Sequence, residues 1–455
     1  MSLYTHLFYS SELQPLLSDE AFLSRMLRFE AALARAQARE GLIPAKSADA
    51  IAACCEAARP DLERLRQEVA PGGNAAIPLV KQLTEQVAGR DPEAAGSVHL
   101  GATSQDVVDT AMTLTIKAFR EWLEPKLQQL ETLLTDLTRT HRQTVMAGRT
   151  LLQQARPITF GLKTAYWLEA VRRSRQRLEE SRPRVEVLQL GGAVGSGNAF
   201  LTAEVLAETA AALGLRPAAP WHSQRDRPAE WAANLGILTG SLGKIARDVS
   251  LLMQTEIGEV LEGKAAGKGG SSTMPHKRNP VHCAAILANA GRTPQLVATL
   301  LAAMPQENER SAGGWHAEWE PLTDLMQLTG GAVDRSIELL ADLEVDPARM
   351  RQNLEITGGL IYAEAVSLAL APRLGKTEAH RQVEMACETA ITQGKHLKAV
   401  LAELDFALPD PDALFRPENA VGRSLEIIDS LLNPPAGGSY QTESHPYSRD
   451  DEASI

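Results

Sequence analysis

Three short polar segments hold most of the side chains in this chain whose types and spacing could do chemistry. The densest is GKGGSSTMPHKRNP, residues 267–280. Gly267, Gly269 and Gly270 give a flexible loop with exposed backbone N–H groups, Ser271, Ser272 and Thr273 supply hydroxyls, and Lys277 and Arg278 supply positive charge. Such a loop suits a lid that closes on an anion. A serine would serve as a base there only with a nearby cation and backbone donors around it once the loop closes. The same composition also fits a surface linker. A Walker-type phosphate loop is excluded, because no Gly-Lys-Ser/Thr follows the turn.

The segment GSVHLGATSQDVVDT, 96–110, gathers His99, Thr103, Ser104, Gln105 and Asp106 just before a long helical run. Capping of that helix by Thr103 or Ser104, with Asp106 in the first turn, accounts for the Thr/Ser–Asp spacing. It leaves His99 unexplained, and a helix N-terminus flanked by hydroxyls also suits a carboxylate ligand. Both readings stand. The third segment, MAGRTLLQQARPITFG, 146–161, is a polar, non-helical link bracketed by Gly148 and Pro157, with Arg149, Thr150, Gln153, Gln154 and Arg156. It is either a solvated connection or part of a binding surface. The Gly-rich stretch at 189–200 lacks the spacing and the βαβ setting of a dinucleotide fingerprint. His141, His222, His282 and His316 share no ligand spacing and no His-Glu-x-x-His is present, so no metal is expected.

Helices must position these segments. Asp19 to Glu40 places Phe22, Met26, Phe29, Leu33 and Ala36 near one face and ends at Gly41. Helix between Ser47 and Val69 is expected to break near Pro60, before the turn at 71–73. Longer amphipathic runs follow at 110–146, 159–182, 231–262, 280–301 and 319–340, with Pro125 and Gly330-Gly331 as possible interruptions. Helices of that length need a bundle around them, and without a strict heptad a globular bundle is expected rather than a rod. Shorter helices return after about 350, and the tail from Tyr440 is polar and expected to fray.

Composition narrows the partners. Of 455 residues, 46 are Lys or Arg against 57 Asp or Glu, a net charge of -11, so the chain has no global attraction for nucleic acid or an anionic membrane. Aromatics at 4% lean away from an all-β fold. Cys54, Cys55, Cys283 and Cys387 form neither a disulfide framework nor a zinc pattern and read as a reducing cytoplasm. No signal-like leader and no membrane-spanning run is expected.

The string from Gly270 to Pro280 resembles the signature of the fumarase/aspartase superfamily, G-S-S-x-M-P-x-K-x-N-P; Gly270, Ser271, Ser272, Met274, Pro275, Lys277, Asn279 and Pro280 match it. The segments at 96–110 and 146–161 are similar to the superfamily's other two motif regions, in the same order. The likeness covers the chain from about 5 to 435. It implies an all-α fold in three parts, 1–110, 111–350 and 351–455, whose long central helices form a bundle shared in a homotetramer. It implies active sites that each draw the three segments from three subunits. The implied reaction makes or breaks a C–O or C–N bond beside a carboxylate, through a carbanion-like intermediate, with no cofactor, no nucleic acid and no membrane. Ser271 stands at the catalytic serine, with Lys277 and His99 beside it. Thr103, Ser104, Gln105, Thr150, Gln154, Met274, Asn279, Arg310 and His316 are the expected substrate contacts, although Arg310 also reads as a plain surface charge and His99 as structural.

Two departures separate the chain from the adenylosuccinate lyases of the same superfamily. Those carry a His directly after Gly-Arg-Thr, where Leu151 stands here, and a His-Asp in the loop before the first segment, where Asn74 stands here. Stretches such as GNAAIPLVKQL and ENERSAGGWHAEWEPL are instead similar to the branch that closes a small tricarboxylate diene into a lactone. The resemblance therefore implies addition of a carboxylate oxygen across a conjugated double bond; elimination of fumarate from adenylosuccinate is the alternative. Leu151 cannot move a proton and is expected either to wall the diene or to sit in the core.

Overall fold

The computed structural model describes residues 3–264, 269–270, 274, 276–404, 406 and 408–433. The fold is all-α, as expected. Helix α1, Asp19–Arg39, starts where the Ser18 side chain accepts a hydrogen bond from the Ala21 N–H at 3.2 Å, with Asp19 and Glu20 in its first turn. Its expected face is buried at Met26, Phe29, Leu33 and Ala36, each worth about 1.5–3 kcal/mol of burial for the larger side chains. Pro60 separates α2, Ala45–Ala57, from α3, Leu62–Gly72. Then α4, Ala76–Ala88, begins under a cap from Asn74, whose Oδ1 accepts from the N–H groups of Ala76 (3.0 Å) and Ile77 (3.3 Å).

Helix α5, Ser104–Thr140, is continuous through Pro125, with no junction there. After it the 146–161 link is a β-hairpin rather than irregular chain. Strands β1, Val145–Thr150, and β2, Gln153–Thr159, pair antiparallel from Val145↔Thr159 to Thr150↔Gln153, with a bulge between Gly148 and Arg149. The long helices α6 (Phe160–Val185), α7 (Asp226–Leu252), α8 (Val281–Ala302) and α9 (Trp319–Ala341) follow. Gly330-Gly331 does not interrupt α9. A Cβ on Gly331 would fall on the carbonyl oxygen of Phe8, and one on Gly330 would meet Leu13 and the Trp122 ring. The pair is there for close approach, not as a break.

Two compact units emerge: Met1–Leu134 with Ala170–Asp346, and Thr135–Glu169 with Pro347–Ile455. In the first, α7, α8 and α9 pack side by side, and Phe119 of α5 meets Trp231 of α7 edge-on at 6.2 Å. In the second, α10 (Ala363–Leu374) packs on α11 (Lys376–Gln393) through Val366, Leu370, Val383 and Ala386. Ile428 and Leu431 of α12, Ser424–Leu432, close over Leu162 and Ala165. No helix among the described residues is long and apolar enough to cross a membrane.

Candidate active site

The start of α5 is built around Asp106, which is fully buried. Its Oδ2 accepts from the N–H groups of Thr103 (3.0 Å) and Gly192 (2.9 Å); its Oδ1 accepts from the Gly191 N–H at 2.9 Å and lies 2.7 Å from His222 Nε2. Thr103 and Asp106 thus form the back half of a capping box, with the acid at the third helical position reaching back to the cap N–H. The same carboxylate ties the Gly-rich 189–200 loop to the helix. Asn198 adds a second tie, donating to the Gly101 carbonyl at 2.8 Å. Gly101, at φ +80, admits it because it has no Cβ; one built there would come within 2.7 Å of Asn198 Oδ1.

Arg310 belongs to this site rather than to the bulk surface. Its Nη2 donates to Thr103 Oγ1 (3.0 Å) and to the Ala193 carbonyl (3.1 Å), and its Nε donates to Gln105 Oε1 (3.0 Å). Gln105 is fully buried and its amide NH2 donates to the His222 carbonyl at 2.8 Å. Both ends of that amide are engaged inside the chain, so Gln105 holds Arg310 in place. Ser104, half-buried, has no hydrogen-bond partner among the described residues. The loop bearing Arg310 is itself anchored by a buried ionic cluster. Arg225 forks onto Asp109 (2.7 and 3.1 Å) and onto Glu318 (2.5 to 3.2 Å), and the Trp315 indole donates to Asp109 at 2.9 Å. Burial alone would lower the Arg225 pKa; Asp109 and Glu318 outweigh it and hold the guanidinium charged.

His99 is held in the left-handed region at φ +58, a conformation sparsely used by residues other than glycine. Its Nδ1 lies 2.7 Å from Oε1 of Glu30, an acid on the buried face of α1 that is 2% exposed. Burial pushes the imidazole pKa down, but the charge and hydrogen bond of Glu30, with Asp106 behind, outweigh it and raise it above the ordinary value. The raised value favours the protonated form of His99, and Arg310 donates to Thr103 at the start of α5; cationic donors at a helix start suit carboxylates.

Ser271 lies outside the described residues, as do Ser272 and Thr273. Lys277 is exposed and, like Asn279, makes no side-chain bond to His99, Thr103, Ser104 or Gln105 among the described residues. Its neighbour Arg278 is committed to Glu344 at 2.9 Å and to the Glu262 carbonyl. Met274 is 43% exposed. His316 is exposed, its ring tilted at 49° against the Trp319 ring with centroids 4.7 Å apart. Thr150 is exposed near the hairpin tip, and Gln154 donates to the Asn353 carbonyl at 2.8 Å. Leu151 is not core: it is 96% exposed at the tip, with Leu152 at 78%, and both have positive φ, +48 and +68. Asn74 is spent on capping α4 and has no proton to move. Glu30, His222 and the Asp109–Arg225–Glu318 cluster were not singled out from sequence. Glu30 alone left a signal there, an acid four residues from Met26 and three from Leu33 on an apolar face. Among the described residues no three His, Cys, Asp or Glu gather as a metal site.

Comparison with known proteins gives the same outline. The family model described as lyase matches residues 10–294, and that of the adenylosuccinate lyase C-terminus matches 359–431. A 3-carboxy-cis,cis-muconate cycloisomerase of Pseudomonas aeruginosa is 50% identical, over 94% of this chain and 95% of its own. One of Acinetobacter baylyi is 45% identical, over 96% and 99%. The crystal structure of 3-carboxy-cis,cis-muconate lactonizing enzyme from Pseudomonas putida superposes with a TM-score of 0.89 at 47% identity, covering 94% of this chain and 98% of that one.

Proposed function

The chain belongs to the lyase family, and from that premise we propose that it is a cofactor-independent cycloisomerase converting 3-carboxy-cis,cis-muconate to 4-carboxymuconolactone, in the protocatechuate branch of aromatic degradation. The observation that carries the reading is the start of α5, where Arg310 donates to Thr103 and Glu30 favours the protonated form of His99. It lies in a chain that matches cycloisomerases over nearly its whole length. A succinyl-purine reading finds no support at the two positions that would need imidazoles, Leu151 and the capping residue Asn74.

In the proposed reaction one carboxylate oxygen adds to a carbon of the conjugated diene, forming the ring C–O bond. The displaced π electrons move onto the neighbouring carboxylate as an enolate-like form. A proton is then delivered to the carbon beside that carboxylate, so the product is an isomer of the substrate and no redox partner is required. Arg310, His99 and the start of α5 hold substrate carboxylates, with Gln105 positioning Arg310. Lys277 and Asn279 stabilise the charge that develops. Ser271 delivers the proton, and removes it in the reverse direction. Thr150, Gln154, Met274 and His316 complete the proposed contacts.

The three-part division at 110 and 350, a homotetramer, and sites shared between subunits belong to this proposal. A cytoplasmic location is proposed on the four cysteines, none of them in a disulfide and three of them buried. The experiment is turnover of 3-carboxy-cis,cis-muconate by the purified chain beside an Arg310→Met variant. Losing a charge-assisted contact of about 1.5–3 kcal/mol should cost roughly 10- to 150-fold in kcat/KM. Unchanged turnover would remove Arg310 from the site.

A further inference from the structure

A second cavity in the first unit has no part in the proposed site. It holds about 500 Å³ and is walled by Phe22 and Arg25 of α1, Met112 and Thr115 of α5, and Trp319 and Asp324 of α9. None of the residues expected to touch substrate lines it. Of α5 it takes Val108, Met112 and Thr115, none of which makes the side-chain bonds of Gln105, Asp106 and Asp109 that build the site. The volume lies in the range of small-molecule pockets, and the mixture of apolar walls and few polar groups is typical of them.

The unusual group is Arg25. It is 8% exposed, yet its one hydrogen bond is from Nη1 to the Leu16 carbonyl at 2.9 Å, and no carboxylate among the described residues lies within ion-pair distance. A buried charge is ordinarily paired, because an unpaired one bears its desolvation cost alone. Burial accordingly lowers the Arg25 pKa, and the neighbouring Arg28 adds to the effect. The acids at the rim do not neutralise it. Asp19 pairs with Arg66 at 3.2 Å, and burial raises the Asp324 carboxyl against the pull of Arg292. Glu320 is exposed.

We propose that this cavity binds a small amphipathic carboxylate, an aryl or branched-chain acid, with its carboxylate on the Arg25 guanidinium and its apolar body against Phe22, Met112 and Trp319. The guanidinium fork supplies the paired donors a carboxylate takes up, and the apolar walls exclude a fully hydrated anion.

The test is a fluorine NMR titration of the full-length protein with 4-fluorobenzoate, with 4-fluorobenzylamine and fluorobenzene run in parallel. Saturable binding of the benzoate is expected, retained in Lys277→Met, and weakened roughly 10-fold or more in Arg25→Met. Met112→Trp, which fills the cavity and leaves the charge in place, should weaken it as much and serves if Arg25→Met fails to fold. Absence of saturable binding overturns the proposal. So does loss of binding in Lys277→Met with retention in Met112→Trp, which would put the probe in the catalytic site. Preference for the benzylamine would mean that the acids, not Arg25, rule the cavity, and would also overturn it.

Discussion

Replacing Asp106 by Asn changes one atom and should unseat the start of α5. The carboxylate takes two N–H donors on Oδ2, from Thr103 and Gly192, and on Oδ1 the Gly191 N–H and the contact to His222. An amide nitrogen at Oδ2 leaves Thr103 and Gly192 facing a donor. At Oδ1 it faces Gly191, and His222 must change tautomer to accept from it. Either placement strands one or two buried N–H groups at about 1–3 kcal/mol each, so the cost is about 1–6 kcal/mol. The cost is local, at the junction of α5 with the 189–192 loop, where Thr103, Gln105 and Arg310 are assembled. Asp106→Asn should therefore lower the thermal midpoint by several degrees and reduce kcat/KM by roughly 10-fold or more, because misplaced binding groups lose orientation. The assay is a thermal melt beside steady-state turnover of 3-carboxy-cis,cis-muconate. A variant that melts within about a degree of wild type with unchanged kcat/KM would show that the Asp106 contacts do not organise the site.

Three further outcomes follow from the geometry. In Glu30→Gln, burial of His99 is opposed by Asp106 alone, so its pKa drops. The stability the ion pair contributes is full below the ordinary imidazole pKa and lost as pH rises through the raised value. The alkaline limb of kcat/KM should move to lower pH in this variant, and an unmoved limb would refute a role for protonated His99. Replacing Leu151-Leu152 by Asn-Gly relieves two positive-φ side chains at roughly 1–2 kcal/mol each and supplies the preferred turn residues. Melts should show a hairpin at least as stable, while kcat/KM falls if the tip belongs to a site. Gly331→Ala drives a methyl into the Phe8 carbonyl and should cost about 2–3 kcal/mol, read as a lowered melting midpoint; a neutral result would mean the Phe8 segment can shift away.

Much of the helical frame was legible because its signals are local. Gly41 after an apolar stripe and Pro60 between two runs each act within a turn of the chain, and the helices stop and restart there. Gly330-Gly331 misled for a non-local reason: the helix runs on through them, and the glycines answer to Phe8 and Leu13, far away in sequence. The hairpin was legible only as non-helical chain, since Leu-Leu is the opposite of the Asn-Gly that marks such a turn. At the site, the Thr103–Asp106 spacing was readable as a cap. Glu30, 69 residues from His99, and His222, 116 from Asp106, meet their partners only in three dimensions. The exposed-looking sequence around Arg310 gave no hint that Gln105 would clamp it.

The most direct test of the central claim is the ultraviolet absorbance of 3-carboxy-cis,cis-muconate with the purified chain in excess EDTA, beside Ser271→Ala and with adenylosuccinate in parallel. Ring closure breaks the conjugated diene, so the account predicts a rapid, chelator-insensitive loss of absorbance that Ser271→Ala abolishes, with adenylosuccinate untouched. Stable muconate absorbance with fumarate released from adenylosuccinate would contradict it and put the purine lyase reading in its place.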